Sequence, residues 1–171
     1  SQYDVWPEIG QSYSKMKKYD KAAEAYQKKI NTGKGALPDY YRLGLVYYNL
    51  KNWVKADETY KYITETKPEY MNGKAFYWRG LVNSNIDSTS VTWQAKPFFE
   101  KYIEMVKDDS VRYSNDLVVC YDYLASYYFL GSEKDICKAT FYWRKILMLK
   151  PDNEKAIDLL KETKGKCPDN K

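Results

Sequence analysis

Residues 40–68 read YYRLGLVYYNLKNWVKADETYKYITETKP, and the spacing within this stretch decides the fold. Aromatic Tyr40 is followed by Leu43-Gly44, Tyr47, Trp53, Ala56, Tyr60, Ile63 and Pro68. Large apolar residues three and four apart make two amphipathic stripes, and the polar Lys51-Asn52 step separates them. The stretch therefore predicts two helices folded back as a hairpin. Small residues at Gly44 and Ala56 let the two helices approach closely.

The same pattern recurs on both sides. Upstream it is carried by Trp6, Ile9-Gly10, Tyr13, Tyr19, Ala22, Tyr26 and Ile30, with Gly10 and Gly44 34 residues apart. Downstream, Phe76, Gly80 and Asn83 begin a third copy, and Tyr121, Leu124-Ala125 and Tyr128 a fourth. The third is stretched by the polar turn 85–90, after which a helix resumes around Trp93-Gln94-Ala95. A polar connector at 107–110 then separates it from the fourth, which starts at Asn115 or Asp116. Pro7 and Pro97 fall in first helical turns, where a missing amide costs little. After Pro151, Asp152 is placed to cap a last helix with Ala156, Ile157, Leu159 and Leu160 on one face.

A period of 34 with the order large-x2-Leu-Gly-x2-Tyr, Ala-x3-aromatic, Pro resembles the tetratricopeptide-repeat family. The resemblance implies an all-α fold: a right-handed α-solenoid of about four helix hairpins plus a C-terminal capping helix. The units fall at approximately 3–36, 37–70, 72–107 and 115–150, with the cap helix at 152–164 and a tail at 165–171, in one array over 1–171. The lengthened turn, the following AKPFFEKYIE and the later YLASYYFL look like a group of bacterial members, many of them exported, of uncertain function. No signal peptide is visible before the first unit, and upstream sequence, a signal peptide or further repeats, is expected.

Composition fits an array and narrows the chemistry. Nineteen tyrosines among 171 residues suit a thin core, because the ring packs while the hydroxyl stays near solvent. The net charge is +5, yet only Arg42, Arg79, Arg112 and Arg144 are arginines. Lysine-rich basicity interleaved with acids reads as a solvated surface, so no nucleic-acid partner is expected. There is no histidine, which removes the commonest general base and metal ligand. Carboxylates such as Asp87, Asp122 and Asp135 are not paired at a spacing that makes an acid/base site. The expectation is therefore a non-enzyme with no cofactor and no metal. No apolar run approaches the roughly 18 residues of a membrane span.

In the family the first helix of each hairpin lines a concave groove that often takes a peptide. Aligning Gly10, Gly44, Gly80 and Ala125 places Gln11 and Ser14, then Tyr41, Leu45, Tyr48 and Asn49, then Tyr77, Leu81, Ser84 and Asn85, then Asp122, Ser126 and Phe129, on that face. The alternative for the tyrosines is that they stack on one another and cover core. One branch of the family clamps a peptide C-terminus with lysine and asparagine. Here those positions hold Pro7, Gln11 and Leu45, with Arg42 the only nearby cation, so that clamp is absent.

The hairpin layout sets Cys137, at the start of one helix, beside Cys167, beyond the end of the antiparallel cap helix. A Cys137–Cys167 disulfide with a buried Cys120 thiol follows, implying a periplasmic or exported protein. The alternative is three reduced thiols in a cytoplasmic one. The function expected is a non-catalytic scaffold binding a protein or peptide through a tyrosine-rich groove. The alternative is an architectural segment of a longer solenoid, or self-association through the N-terminal helix around Trp6 and Ile9.

Overall fold

Nine α-helices and no strand are found among residues 4–167, which are those described in this computed structural model of the chain. Positions 1–3 and 168–171, including the end of the expected tail, lie outside them. The chain divides into two compact units at the Ile86–Asp87 boundary.

The first unit holds α1 (Trp6–Lys15), α2 (Tyr19–Lys29), α3 (Leu37–Asn49), α4 (Trp53–Thr66) and α5 (Lys74–Ile86), each packed on the next. The α1–α2 and α3–α4 turns are copies of one another. Lys17 and Lys51 both take a left-handed φ of 56°. In each turn the amides of that lysine and of the next residue donate back into the preceding helix, Lys17 and Lys18 to the carbonyls of Ser14 and Tyr13, Lys51 and Asn52 to those of Tyr48 and Tyr47. These bonds satisfy carbonyls that a helix end otherwise leaves open. Asn52 then caps α4 by accepting from the Lys55 amide. Asp39 accepts from the Ala36 amide at 2.9 Å and so closes the start of α3.

Gly10 and Gly44 owe their size to rings rather than to helix backbones. A Cβ on Gly10 would sit 2.8 Å from the Tyr26 ring, and one on Gly44 2.6 Å from the Tyr60 ring. Each hairpin thus slots a tyrosine from its second helix across a glycine of its first. Tyr26 and Tyr60 anchor two successive cores, the former with Ala22, Ala23, Leu43 and Val46, the latter with Ala56, Ile63, Ala75 and Val82. Between α4 and α5, Arg79 grips Asp57 through two bonds of 2.9 and 3.1 Å, and Asn83 adds a third at 2.7 Å. That fork fixes the register of the two helices.

The second unit holds α6 (Lys96–Val106), α7 (Ser114–Leu130), α8 (Ile136–Leu149) and α9 (Glu154–Glu162). Its core is built on Phe99, Tyr102, Leu117, Leu124, Trp143 and Ile146. Two expectations about helix starts need correction. The helix expected from about Trp93 begins at Lys96, because residues 87–93 form a closed loop around the Asp87 carboxylate. That carboxylate accepts the amides of Val91, Thr92 and Trp93 at 3.0, 3.0 and 2.6 Å. The cap of α9 is Asn153, accepting from the Ala156 amide at 2.9 Å, rather than Asp152, which is exposed one residue too early. Cys137 and Cys167 are joined by a disulfide, with Cα atoms 5.2 Å apart, tying the end of α9 to the start of α8. Cys120 is a buried thiol.

Candidate functional site

The expected groove residues separate into three environments. Gln11, Leu45 and Asn49 come together. With Ser14, Tyr19, Tyr26, Arg42 and Val46 they line a cleft of about 300 Å³ between α1 and α3. Gln11 and Asn49 are exposed at its rim and Leu45 is half-buried. Asn49 holds its position by donating to the Leu45 carbonyl at 2.7 Å.

The hydroxyl of Tyr26 shows what surrounds the cleft floor. Burial raises its pKa above the ordinary tyrosine value; the Arg42 guanidinium and the Ser14 hydroxyl pull the other way, while the Asp39 carboxylate adds to the rise. One cation, one carboxylate and two hydroxyls therefore converge beside this cleft. Ser14 Oγ is buried beside the Tyr26 hydroxyl.

Tyr41, Tyr48 and Tyr77 are committed to an aromatic cluster instead. Trp78 is at its centre: its indole N–H donates to the Tyr41 hydroxyl at 2.9 Å. Its ring lies 5.1 Å from Tyr48 and 5.8 Å from Tyr77, edge to face in both cases. Tyr77 is buried, with the Lys74 ammonium 4.3 Å above its ring. Their rings build wall and floor, so what this face offers a ligand is mainly the polar residues between them. Leu81 is half-buried, and its carbonyl accepts from Asn85 at 2.8 Å. Asn85 borders a broad, open depression of about 590 Å³ with Leu50, Lys51, Asn52, Trp53, Val54 and Ile86.

Asp122 and Ser126 belong to the second unit. One turn apart on α7, both are half-buried. Asp122 pairs with Lys155 of α9 at 2.7 Å, so it helps seat the last helix. Asp87, once conceivable as an acid/base group, is taken up by backbone. Burial alone would raise its pKa, but the amides of Val91, Trp93 and Thr92 hold it below the ordinary carboxylate value.

Sequence reasoning missed the Asp87 loop and the part played by Tyr26. The signals were present. Asp-Ser-Thr-Ser is a run in which a side chain readily bonds amides further along, and Tyr26 stands at the same offset from Gly10 as Tyr60 from Gly44.

Comparison with known proteins agrees with this geometry. Residues 8–30 and 40–69 match the tetratricopeptide-repeat family model, covering the two hairpins of regular period. The structure is similar to the C-terminal part of a TPR repeat-containing protein from Cytophaga hutchinsonii, with a TM-score of 0.83 and 32% identity over 92% of this chain. The chain spans 59% of that neighbour's length. No curated protein matches significantly. The family is generally non-catalytic and serves in protein interaction. No helix among the described residues is long and apolar enough to cross a membrane. With its repeated glycine–tyrosine slots, paired helices and this neighbour, the chain is a tetratricopeptide-repeat protein of the helical-solenoid class.

Proposed function

We propose that this protein is a non-catalytic scaffold that binds a peptide segment of a protein partner along the first helices of its hairpins. The observation that carries the reading is the α1–α3 cleft, where Gln11, Leu45 and Asn49 come together with groups the fold leaves accessible. Tyr41, Tyr48 and Tyr77 stiffen the neighbouring face, so binding there costs little side-chain entropy. A random-peptide display selection on the intact chain tests this. Selected peptides should bind the native protein and lose about tenfold in affinity with Leu45→Ala plus Asn49→Ala, with helicity and melting temperature retained. Failure to select any binder, or equal binding by the variant, would overturn it.

A second reading is favoured by one further feature. Trp6, Ile9 and Tyr13 line a cleft of about 280 Å³ with Lys21, Glu24, Ala25 and Lys28. They stand 34 residues before Tyr40, Leu43 and Tyr47, and Leu43 is the residue that α3 buries against α2. The same positions on α1 are shaped to receive another repeat, either from a longer array or from a second copy. Sedimentation distinguishes self-association: a dimer abolished by Ile9→Glu would support it, and a monomer at all concentrations would sink it.

The Cys137–Cys167 bond supports an oxidising compartment such as the periplasm over the cytoplasm. Protein isolated from its native host should show one titratable thiol in denaturant without reductant and three with it. Three before reduction would reverse the assignment.

A further inference from the structure

The two sulfurs of the Cys137–Cys167 bond stand in different surroundings. Cys137 is exposed and is the second residue of α8. The first amides of a helix have no partner within it, so negative charge on a sulfur there is favoured. The neighbouring Asp135 carboxylate accepts from the Lys138 amide at 3.0 Å and lies 3.6 Å from the Lys138 ammonium. At the other end, Gly165 takes a left-handed φ of 78° and turns the chain past α9. Cys167 thereby comes to line a cleft of about 420 Å³ with Thr140, Arg144, Leu160, Thr163 and Lys164. The two charged side chains lining this cleft, Arg144 and Lys164, are both cations and both exposed. Cys137 is not among its lining residues.

We propose that this bond is a thiol–disulfide exchange site, at which a dithiol reductant enters the cleft, attacks Cys167 and expels Cys137. The attacking thiolate forms a new S–S bond to Cys167 Sγ as the Cys137–Cys167 bond breaks, and the electron pair of that bond goes to Cys137 Sγ. The reductant's second thiolate then attacks its own sulfur in the mixed disulfide, closes the reductant's disulfide and releases Cys167 as a thiolate. The dithiol is oxidised by two electrons, the cystine is reduced, and the two protons of the dithiol end on the two cysteines. A less basic thiolate leaves faster, which makes Cys137 the leaving group, while the two cations draw a thiolate toward Cys167. Exposed disulfides are the labile kind, and oxidising compartments hold dithiol proteins that act by such exchange. Opening the bond acts on α9. With nine residues that helix is too short to persist alone in water. Its remaining ties are the stripe of Ala156, Ile157 and Leu160 and the Lys155–Asp122 pair. Exchange therefore loosens the last helix and uncovers the part of α8 packed against it.

The test uses the intact oxidised chain and two monothiols of opposite charge, mercaptoethanesulfonate and cysteamine, whose mixed disulfides persist. Freed thiols are alkylated and mapped by mass spectrometry. The mixed disulfide should fall on Cys167 and the alkyl group on Cys137, by about fivefold or more over the reverse. The rate advantage of the sulfonate over cysteamine should shrink about threefold or more in Arg144→Gln plus Lys164→Gln. It should hold in Lys21→Gln plus Lys101→Gln, the same charge change made on α2 and α6. Adducts mainly on Cys137, or a rate ratio indifferent to Arg144 and Lys164, would overturn the site. Hydrogen exchange reads the consequence. After reduction with dithiothreitol, residues 154–162 should lose protection by about tenfold while residues 53–66 keep theirs. Cys137→Ser with Cys167→Ser should match the reduced chain without any reductant. Protection of α9 that survives reduction would remove the control over that helix, and loss of protection throughout the chain would refute its confinement to one end.

Discussion

At the scale of the residue, two pairs carry the most information. Gly44 and Tyr60 fit because the glycine has no Cβ: one placed there would meet the Tyr60 ring at 2.6–2.9 Å. Gly44→Ala should cost about 1–3 kcal/mol through overpacking, read as a lower midpoint in urea. The Tyr60 hydroxyl tells the opposite story. It is fully buried with no hydrogen-bond partner among the described residues, and burial pushes its pKa far above the ordinary tyrosine value, the Tyr41 and Tyr48 hydroxyls adding to the rise. Tyr60→Phe removes a desolvated polar atom and leaves the ring, so stability should hold or rise by about 1 kcal/mol. A marked loss would show that the hydroxyl has a role the fold does not explain. Lys51 makes a third case. Its φ of 56° is comfortable for glycine and costly for lysine. Lys51→Gly should therefore raise the melting temperature, by the equivalent of about 0.5–1 kcal/mol.

At the scale of the element, the loop 87–93 is held by one side chain. Its carboxylate satisfies three amides and so lets Trp93, at a left-handed φ of 55°, pack edge to face on Tyr123 and Tyr127 at 5.4 and 5.5 Å. Hydrogen bonds to a charged acceptor are the stronger kind, so Asp87→Asn should cost about 2 kcal/mol at neutral pH. The sign of the pH effect follows from the depressed folded-state pKa. The stabilisation is present above the unfolded-state value of about 3.9 and is lost as pH falls through the lower folded-state value. The wild type should therefore lose its advantage over Asp87→Asn in that acid window. A constant difference down to pH 2 would exclude the carboxylate as its source.

At the scale of the whole molecule, the disulfide acts through the unfolded chain. Cys137 and Cys167 close a loop with a sequence separation of 30, which limits the freedom of the denatured state. In the chain-entropy picture Cys137→Ser with Cys167→Ser should cost about 3–4 kcal/mol. Reductant should bring the wild type to the same midpoint and leave the double variant unmoved. Part of that bond's work is shared, because Lys155 pairs with Asp122 to hold α9 from its other side.

The sequence by itself determined the repeat. Period, helix pairing and the glycine–aromatic offsets are local or strictly periodic, so they are written in the spacing of Leu43-Gly44, Tyr47, Ala56 and Tyr60. It also bounded the chemistry, since a chain without histidine and with four arginines has few catalytic options. Only the tertiary structure decided which residues on the first helices line an open cleft and which are spent on packing. Tyr41, Tyr48 and Tyr77 share register positions with groove residues, yet Trp78, a neighbour no periodic pattern singles out, draws all three rings into its cluster. Arg42 and Ser14 lie far apart in sequence and line one cleft because α1 and α3 both pack on α2, which carries Tyr26. Asp87 reads as a solvated turn acid until the chain folds back and places three amides around it. Periodicity specifies faces, whereas the convergence of particular atoms depends on side-chain packing between helices, which spacing alone does not encode.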